Sequence, residues 1–465
     1  MSVKLLIEQS LFETRTLLLE NDRLLDYELE ATFENSRVGE IHYARIARFS
    51  DTINGALVEL AGGASGLLLS RNCIAKSQSA DADIRSKITE GANLPLQIIK
   101  DAKDDKTAEV SSKVTLDGAF VSLQPMAEGV QFPKGFAKNA EADELRNALE
   151  QIKGRAIVRS RGAKEPADKI ISEAAQLADH WQSILSAAKS AKKPTLLVRP
   201  APQLLVQALS LSPEKLEIIS NDANLQTRLK GWGVGARTRF DHWNKPVGLV
   251  SHCGFEEELS RLEDRQITLN SGANITIEQT EALVVIDVNS GQAKGGSHEQ
   301  LARQVNEQAA REIAHQIRVR NLSGIIIIDF IQMNGKNDVA KLIQTFEKET
   351  QSDPAGVRIF SMTELGLLQL TRKRTRSPLH HTQKLIMPET NGRVSLKQAT
   401  DFLRALAGHK ERHKSALFTV TAGPALMPFL TAYGVQMEQY LGVRLSSGEG
   451  PALAEYDFEI TPQIP

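Results

Sequence analysis

Apolar positions along this chain follow two rhythms, and the change between them divides it. Over residues 14–30 (TRTLLLENDRLLDYELE) the pattern predicts two short strands around a turn at Glu20-Asn21-Asp22. From Val38 to about Leu123 short β-rich runs recur between Gly and Asp: IHYARIARF, GALVELAG, SGLLLS, NLPLQIIK, AEVSSKVTL and AFVSLQP. That spacing suits a small antiparallel barrel such as an OB-fold, or equally a β-meander. Residues 140–193 turn to the helical period, interrupted by the strand-like RAIVRS. Pro194, Pro200 and Pro202 mark a boundary around TLLVR, and β and α signals alternate to about Phe255. Residues 263–378 hold the clearest α/β pattern, and an irregular linker is expected to about residue 391. Residues 392–465 read helix–strand–helix–strand, with LFTVTA and VRLSSG as the strands.

Inside the α/β segment, LVVID (283–287) is an apolar strand ending in a carboxylate. Ser297-His298-Glu299-Gln300 has the form of a capping box. Leu301, Val305, Ala309, Ile313 and Ile317 then lie four apart on one helix face. Arg318 and Arg320 close that helix, Ser323-Gly324 stops it, and IIIID (325–329) begins a second strand. This is a β–α–β unit with a connection long enough for parallel strands, whose unbroken aliphatic character suits burial on both faces. Asp287 and Asp329 then hold equivalent places at the carboxyl ends of their strands, the edge where open α/β sheets bind ligands. On neighbouring strands, about 5 Å apart, the two carboxylates converge. They repel unless a cation or shared proton intervenes. Oxygen-only ligands with an open remaining shell suit Mg²⁺, and Asn289 would share the Asp287 face and orient it. Spacing alone leaves a second reading open, in which the aspartates are turn residues or helix caps.

Composition narrows the setting. A chain of 465 residues has room for about three domains, and 41% hydrophobic with 24% charged residues is ordinary for a globular protein. The net charge of −1 means that any nucleic-acid binding rests on local basic patches. Cys73 and Cys253 form no Cys-x-x-Cys pair, which argues against a disulfide scaffold or cysteine zinc clip. No apolar run reaches membrane-spanning length, so a cytoplasmic protein is expected.

Three ordered blocks carry a resemblance: TEALVVIDVNSG, AAREIAHQIRVRNLSGIIIIDFIQM and GLLQLTRKRTRSPL. They resemble the catalytic region of the ribonuclease E/G family, and the similarity extends more weakly over nearly the whole chain. The resemblance implies an α/β and α+β multidomain protein. Residues 1–35 and 194–262 would form an RNase H-like subdomain. It would be split by an OB-type RNA-binding barrel (36–123) and a 5′-sensor region (124–193). A DNase I-like catalytic subdomain (263–378), a linker (379–391) and a small C-terminal α/β domain (392–465) would follow.

The same resemblance implies a Mg²⁺-dependent endoribonuclease that leaves 5′-phosphate and 3′-hydroxyl ends in RNA processing or decay. Asp287 and Asp329 would hold the metal, with Asn289 supporting the first. Arg159 and Ser160 match the pair that receives a 5′-monophosphate, and Arg358 a basic residue near that pocket. Lys106 matches a lysine of the barrel. Arg318, Arg320 and the run Arg372, Lys373, Arg374 and Arg376 would contact RNA phosphates.

The chain also departs from the family pattern. Leu57 and Leu67 stand where the family's barrel presents aromatic rings, removing stacking planes each worth about 1–3 kcal/mol. The Cys-Pro-x-Cys zinc-link is absent, its place taken by LHHTQKLIMPET, so zinc-linked assembly is not expected. A homodimer through 392–465 stays open. Gln332 replaces a further family acid. These departures leave an alternative in which the scaffold binds RNA with weak or no nuclease activity; a DNA-directed nuclease on the same metal site is a third reading.

Overall fold

The computed structural model describes all residues except 1, 35, 51, 75–81, 103–106, 134, 135, 137, 138, 160, 161, 212–214, 233–237, 246, 247, 334, 414–416, 451, 464 and 465. It is a mixed α/β protein of two compact units. One comprises Met1–Asn35, Glu217–Ala223 and Phe240–Pro465; the other comprises Ser36–Leu216 and Asn224–Arg239. Among the described residues no helix is long and apolar enough to cross a membrane.

The second unit contains a closed five-stranded barrel, as the strand spacing allowed. Ile41–Phe49 pairs with Gly55–Glu59, which pairs with Ser65–Leu69, then Ala108–Ser111, then Asn93–Lys100, and the last strand returns to Ile41–Phe49. Period-two alternation builds it. Ala44, Ile46, Ala56, Val58, Leu68, Leu96, Ile98 and Val110 fill the interior. Gly66 faces inward, where a Cβ would press on Val58 and Val110. Leu57 and Leu67 are direct cross-strand partners on the outer surface, both half-buried. The strand Thr195–Val198 adds to the barrel through Ile41–Phe49. Leu116–Asp117 and Val121–Gln124 leave the barrel to pair into a second sheet with Arg155–Val158 and Gly129–Gln131. Helices Ala140–Glu150 and Ala167–Ser190 bury Leu145, Leu149, Ile170 and Ala174 against it.

In the first unit, the hairpin expected at 14–30 forms between Glu13–Glu20 and Arg23–Ala31. Asn21 and Asp22 turn it with φ of 51° and 60°, the left-handed conformation such a two-residue turn requires. A strand the pattern did not single out, Val3–Gln9, pairs alongside it, and Leu216–Ser220 and Arg239–His242 complete the sheet. The small C-terminal sheet has LFTVTA at its centre, parallel to Arg444–Glu449 and antiparallel to a further strand, Phe458–Pro462. The stretch expected to be irregular instead carries a short helix, Leu379–Gln383, with Leu379 and Thr382 buried. His380 and His381 lie on it, exposed.

The remaining sheet runs Gln266–Thr268, Asn274–Gln279, Leu283–Asn289, Gly324–Asp329, Leu367–Arg372 and Val357–Ile359 in spatial order. Helix His298–Val319 crosses between its two parallel strands, opened by the Ser297–Gln300 capping box with both reciprocal bonds formed. Val305, Ala309, Ile313 and Ile317 are fully buried against Val284, Ile286, Ile326 and Ile328, and Phe346 of helix Lys336–Thr350 joins them. The helices cover one face only. Ile325 is 51% exposed and Gln369 is also exposed, which corrects the expectation of burial on both faces. Four consecutive isoleucines carry no alternation, so the run itself did not reveal that its odd-numbered members face away from the helices.

Candidate active site

Two residues on adjacent strands open the site. Leu283–Asn289 and Gly324–Asp329 run parallel in a register that sets Asp287 directly opposite Asp329. Both side chains stand on the uncovered face, because their neighbours Ile286, Val288 and Ile328 point into the core. Asp287 is half-buried and Asp329 exposed. On the same face Asn289 donates from Nδ2 to Asp287 Oδ2 at 2.5 Å. Thr276 flanks Asp287 across the other strand pair, and Leu367 flanks Asp329. Among the described residues no arginine, lysine or histidine forms an ion pair with either aspartate, and no group of three or more His, Cys, Asp or Glu gathers around a common point.

The sequence reading missed Asn306. It is fully buried within the apolar stripe of the long helix, donates to the Ile331 carbonyl at 2.7 Å and accepts from the Ile331 N–H at 3.0 Å. One side-chain amide thus fixes both backbone polar groups of Ile331, two residues past Asp329. Its sequence signal was a polar residue beside Val305 on a face otherwise reserved for aliphatics. The loop after the Asp287 strand holds an exposed Lys294, also passed over.

The basic residues divide sharply. Arg318 is buried and lies 3.4 Å from Asp26 of the first sheet, and its other guanidinium nitrogen donates to Ser352. Arg376 is held by the same Asp26 at 2.6 Å and by the Tyr27 carbonyl. Burial opposes its charge, but Asp26 and Glu28 outweigh that and hold the guanidinium above its usual range. Arg320 donates to Gln316 Oε1 at 2.6 Å and to the Asp264 and Arg261 carbonyls. Burial pushes it down to about 10. Arg372 forms a two-point ion pair with Asp353 and donates to Asn321 and the Leu322 carbonyl. These four were expected as RNA contacts. Their guanidinium groups instead tie elements of the unit together: Arg318 lies on the inner side of the long helix, Arg320 caps its end, Arg372 points inward from its strand and Arg376 reaches back from the segment after it. Lys373 and Arg374 are exposed. Arg358 is exposed too, its guanidinium 4.9 Å from the centre of the Phe360 ring.

In the other unit, Arg159 follows strand Arg155–Val158 and donates to Asp117 at 2.6 Å and to Ser122 at 3.1 Å. Glu173 stabilises the adjoining turn by accepting from the N–H groups of Ala119, Phe120 and Val121 at 2.6–2.9 Å. Lys106 and Ser160 lie outside the described residues.

A family model for the Ribonuclease E/G family matches residues 115–375, more than half of the chain and the whole stretch that carries both aspartates. The chain belongs to the Ribonuclease E/G family. It is 24% identical to Ribonuclease G of Salmonella typhimurium over 99% of both chains. Against Ribonuclease G of Escherichia coli strain K12 the identity is 25% over 92% of both. Against Ribonuclease E of the same strain it is 28% over 82% of this chain and 37% of that longer protein. The family model covers the Asp287–Asp329 sheet and the part of the other unit that follows the barrel, and the similarity to the two Ribonuclease G chains extends over the barrel as well.

Proposed function

We propose that this chain is a Mg²⁺-dependent endoribonuclease that cleaves single-stranded RNA to 5′-phosphate and 3′-hydroxyl ends, in cytoplasmic RNA processing or decay. The observation that carries the reading is the register of Asp287 opposite Asp329 on an open sheet face, in a member of a ribonuclease family. The donors suit a hard divalent cation: two carboxylates on an open sheet face, joined among the described residues by no cluster of further His, Cys, Asp or Glu, so that water and phosphate oxygens would complete the shell. Asp287 and Asp329 would hold Mg²⁺. When bound, it supplies a water of lowered pKa and stabilises charge developing on the scissile phosphate. Asn289 restrains one oxygen of Asp287 and leaves the other to accept. Asn306 keeps the chain beyond Asp329 in place, and Lys294, Lys373 and Arg374 offer exposed cations for the RNA backbone.

Within this reading the barrel guides RNA, and the Arg159 region is the 5′-sensor, its guanidinium pre-oriented by Asp117 and Ser122. The remaining parts are an RNase H-like first sheet, a DNase I-like catalytic sheet and a small C-terminal domain open to homodimer formation. The test is incubation of the purified chain with 5′-monophosphorylated single-stranded RNA in Mg²⁺ or EDTA, with analysis of the ends produced. Cleavage in Mg²⁺ that stops in EDTA is expected. RNA retention without turnover in Mg²⁺ would favour a binding protein on the same scaffold, the reading to which the half-buried leucine pair of the barrel gives some weight.

A further inference from the structure

The open face of the Asp287–Asp329 sheet carries an aromatic feature that neither the metal site nor the core uses. Of the chain's fifteen phenylalanines, Phe360 alone is exposed by more than a third, at 38%. It follows the edge strand Val357–Ile359, whose Val357 and Ile359 pack into the core, so Arg358 and Phe360 face the other way. The Phe360 N–H donates to the Gln369 carbonyl at 2.9 Å, which extends the edge pairing and pins the backbone beneath the ring. Arg358 lies over that ring at 4.9 Å, within cation–π range. Gln369 sits opposite Ile327, and Arg358 lines up through Thr371 with the exposed Ile325. The result is a partly apolar shelf with a cation on one side. It is continuous with the metal site: Leu367, two residues from Gln369, pairs with Asp329. Strand spacing puts Phe360 about 10 Å across the sheet and about 7 Å along it from Asp329.

We infer that Phe360 forms a nucleobase subsite that stacks one base of the single-stranded RNA close to the scissile phosphate. This rests on the nuclease reading above and deepens it. An exposed aromatic ring stacks on any base. The guanidinium over it, at a position that resembles a basic residue near the family's 5′-monophosphate pocket, is available to a phosphate of the same strand, and the carboxylate pair fixes which phosphate is cut. The occupant is therefore substrate RNA; a second copy of the chain is the competing occupant.

The experiment measures binding and cleavage of a short single-stranded RNA and of a series with one abasic position moved along it. The proteins are wild type, Phe360→Ala and Phe360→Trp, each also in an Asp329→Asn background for binding alone. For wild type we expect one abasic position near the cut to weaken binding roughly fivefold or more, the lower end of the scale for one stacked base. Phe360→Ala should weaken binding of intact RNA by the same factor and lose sensitivity at that position, raising KM while retaining kcat. Phe360→Trp should restore both. A loss below about threefold in Phe360→Ala, or an unchanged abasic profile, overturns the subsite. So does a changed oligomeric state with unchanged RNA affinity, which would give the face to a second copy. Binding in the Asp329→Asn background reads the subsite whether or not the wild type cleaves RNA, so failure of the nuclease reading is seen separately.

Discussion

Two acidic centres in the same unit meet opposite fates. Asp26, fully buried on the third strand of the first sheet, is answered by Arg318 and Arg376 and by the Tyr27 N–H. Asp287 and Asp329 stand on an open face, side by side, with an amide as neighbour and no described cation. A buried carboxylate without built-in counter-charge costs several kcal/mol, so the fold recruits two arginines to it. A pair on an open face tolerates its repulsion in water and leaves its oxygens accessible, as the proposed function requires. The difference separates charge that holds the unit together from charge left for chemistry.

The largest test of that contrast is Asp329→Asn. Cleavage in Mg²⁺ should fall by about a thousandfold or more, the several kcal/mol a metal contributes to phosphoryl chemistry. Thermal stability without metal should stay the same or rise. Unfolding in this variant would place Asp329 with the structural acids and erase the distinction. Conversely, Asp26→Asn should cost about 3–5 kcal/mol in chemical denaturation, because two buried guanidinium groups lose their partner. A stable Asp26→Asn protein would show that the arginines find solvent instead.

Glu28 sharpens the comparison within the buried centre. Burial raises its carboxyl to about 7 against the pull of Arg376, with Glu30 and Asp26 adding to the rise. The unfolded chain releases that proton near about 4.3. Between these values the folded state binds the extra proton, so this stabilisation is present below the lower value and lost as pH rises through about 7. Glu28→Gln should flatten that slope, by on the order of 1–3 kcal/mol, in denaturation curves taken from pH 5 to pH 8. An unchanged slope would remove Glu28 from the account. The smallest effect is expected for Asn289→Ala, about a tenfold rise in the Mg²⁺ concentration giving half-maximal cleavage, as for a residue that orients a ligand. A fall as deep as that of Asp329→Asn would make Asn289 a ligand in its own right.

Local pattern carried a good deal of this. The Asn21-Asp22 turn, the Ser297–Gln300 capping box and the stripe from Leu301 to Ile317 each depend on neighbours within a few residues, and each is where its spacing put it. The barrel strands were legible for the same reason, because alternation survives in runs such as GALVE. The basic residues were not. TRKRTR is one dense run in sequence, yet Arg372 and Arg376 turn inward to Asp353 and Asp26 while Lys373 and Arg374 face solvent. Asp26 lies some 350 residues from Arg376, and no local window contains both.

The sequence by itself determined the β–α–β unit and placed the two aspartates toward the carboxyl ends of its strands, since hydrophobic period and chain length fix strand, crossover and strand in order. Only the tertiary structure decided that the sheet is covered on one side, that Asn306 holds the chain after Asp329, and that Phe360 is exposed beneath Arg358. The physical reason is common to all three. Which face of a strand is buried, and which charge has a partner, depend on elements distant in the chain, and a run of isoleucines or arginines reads the same either way.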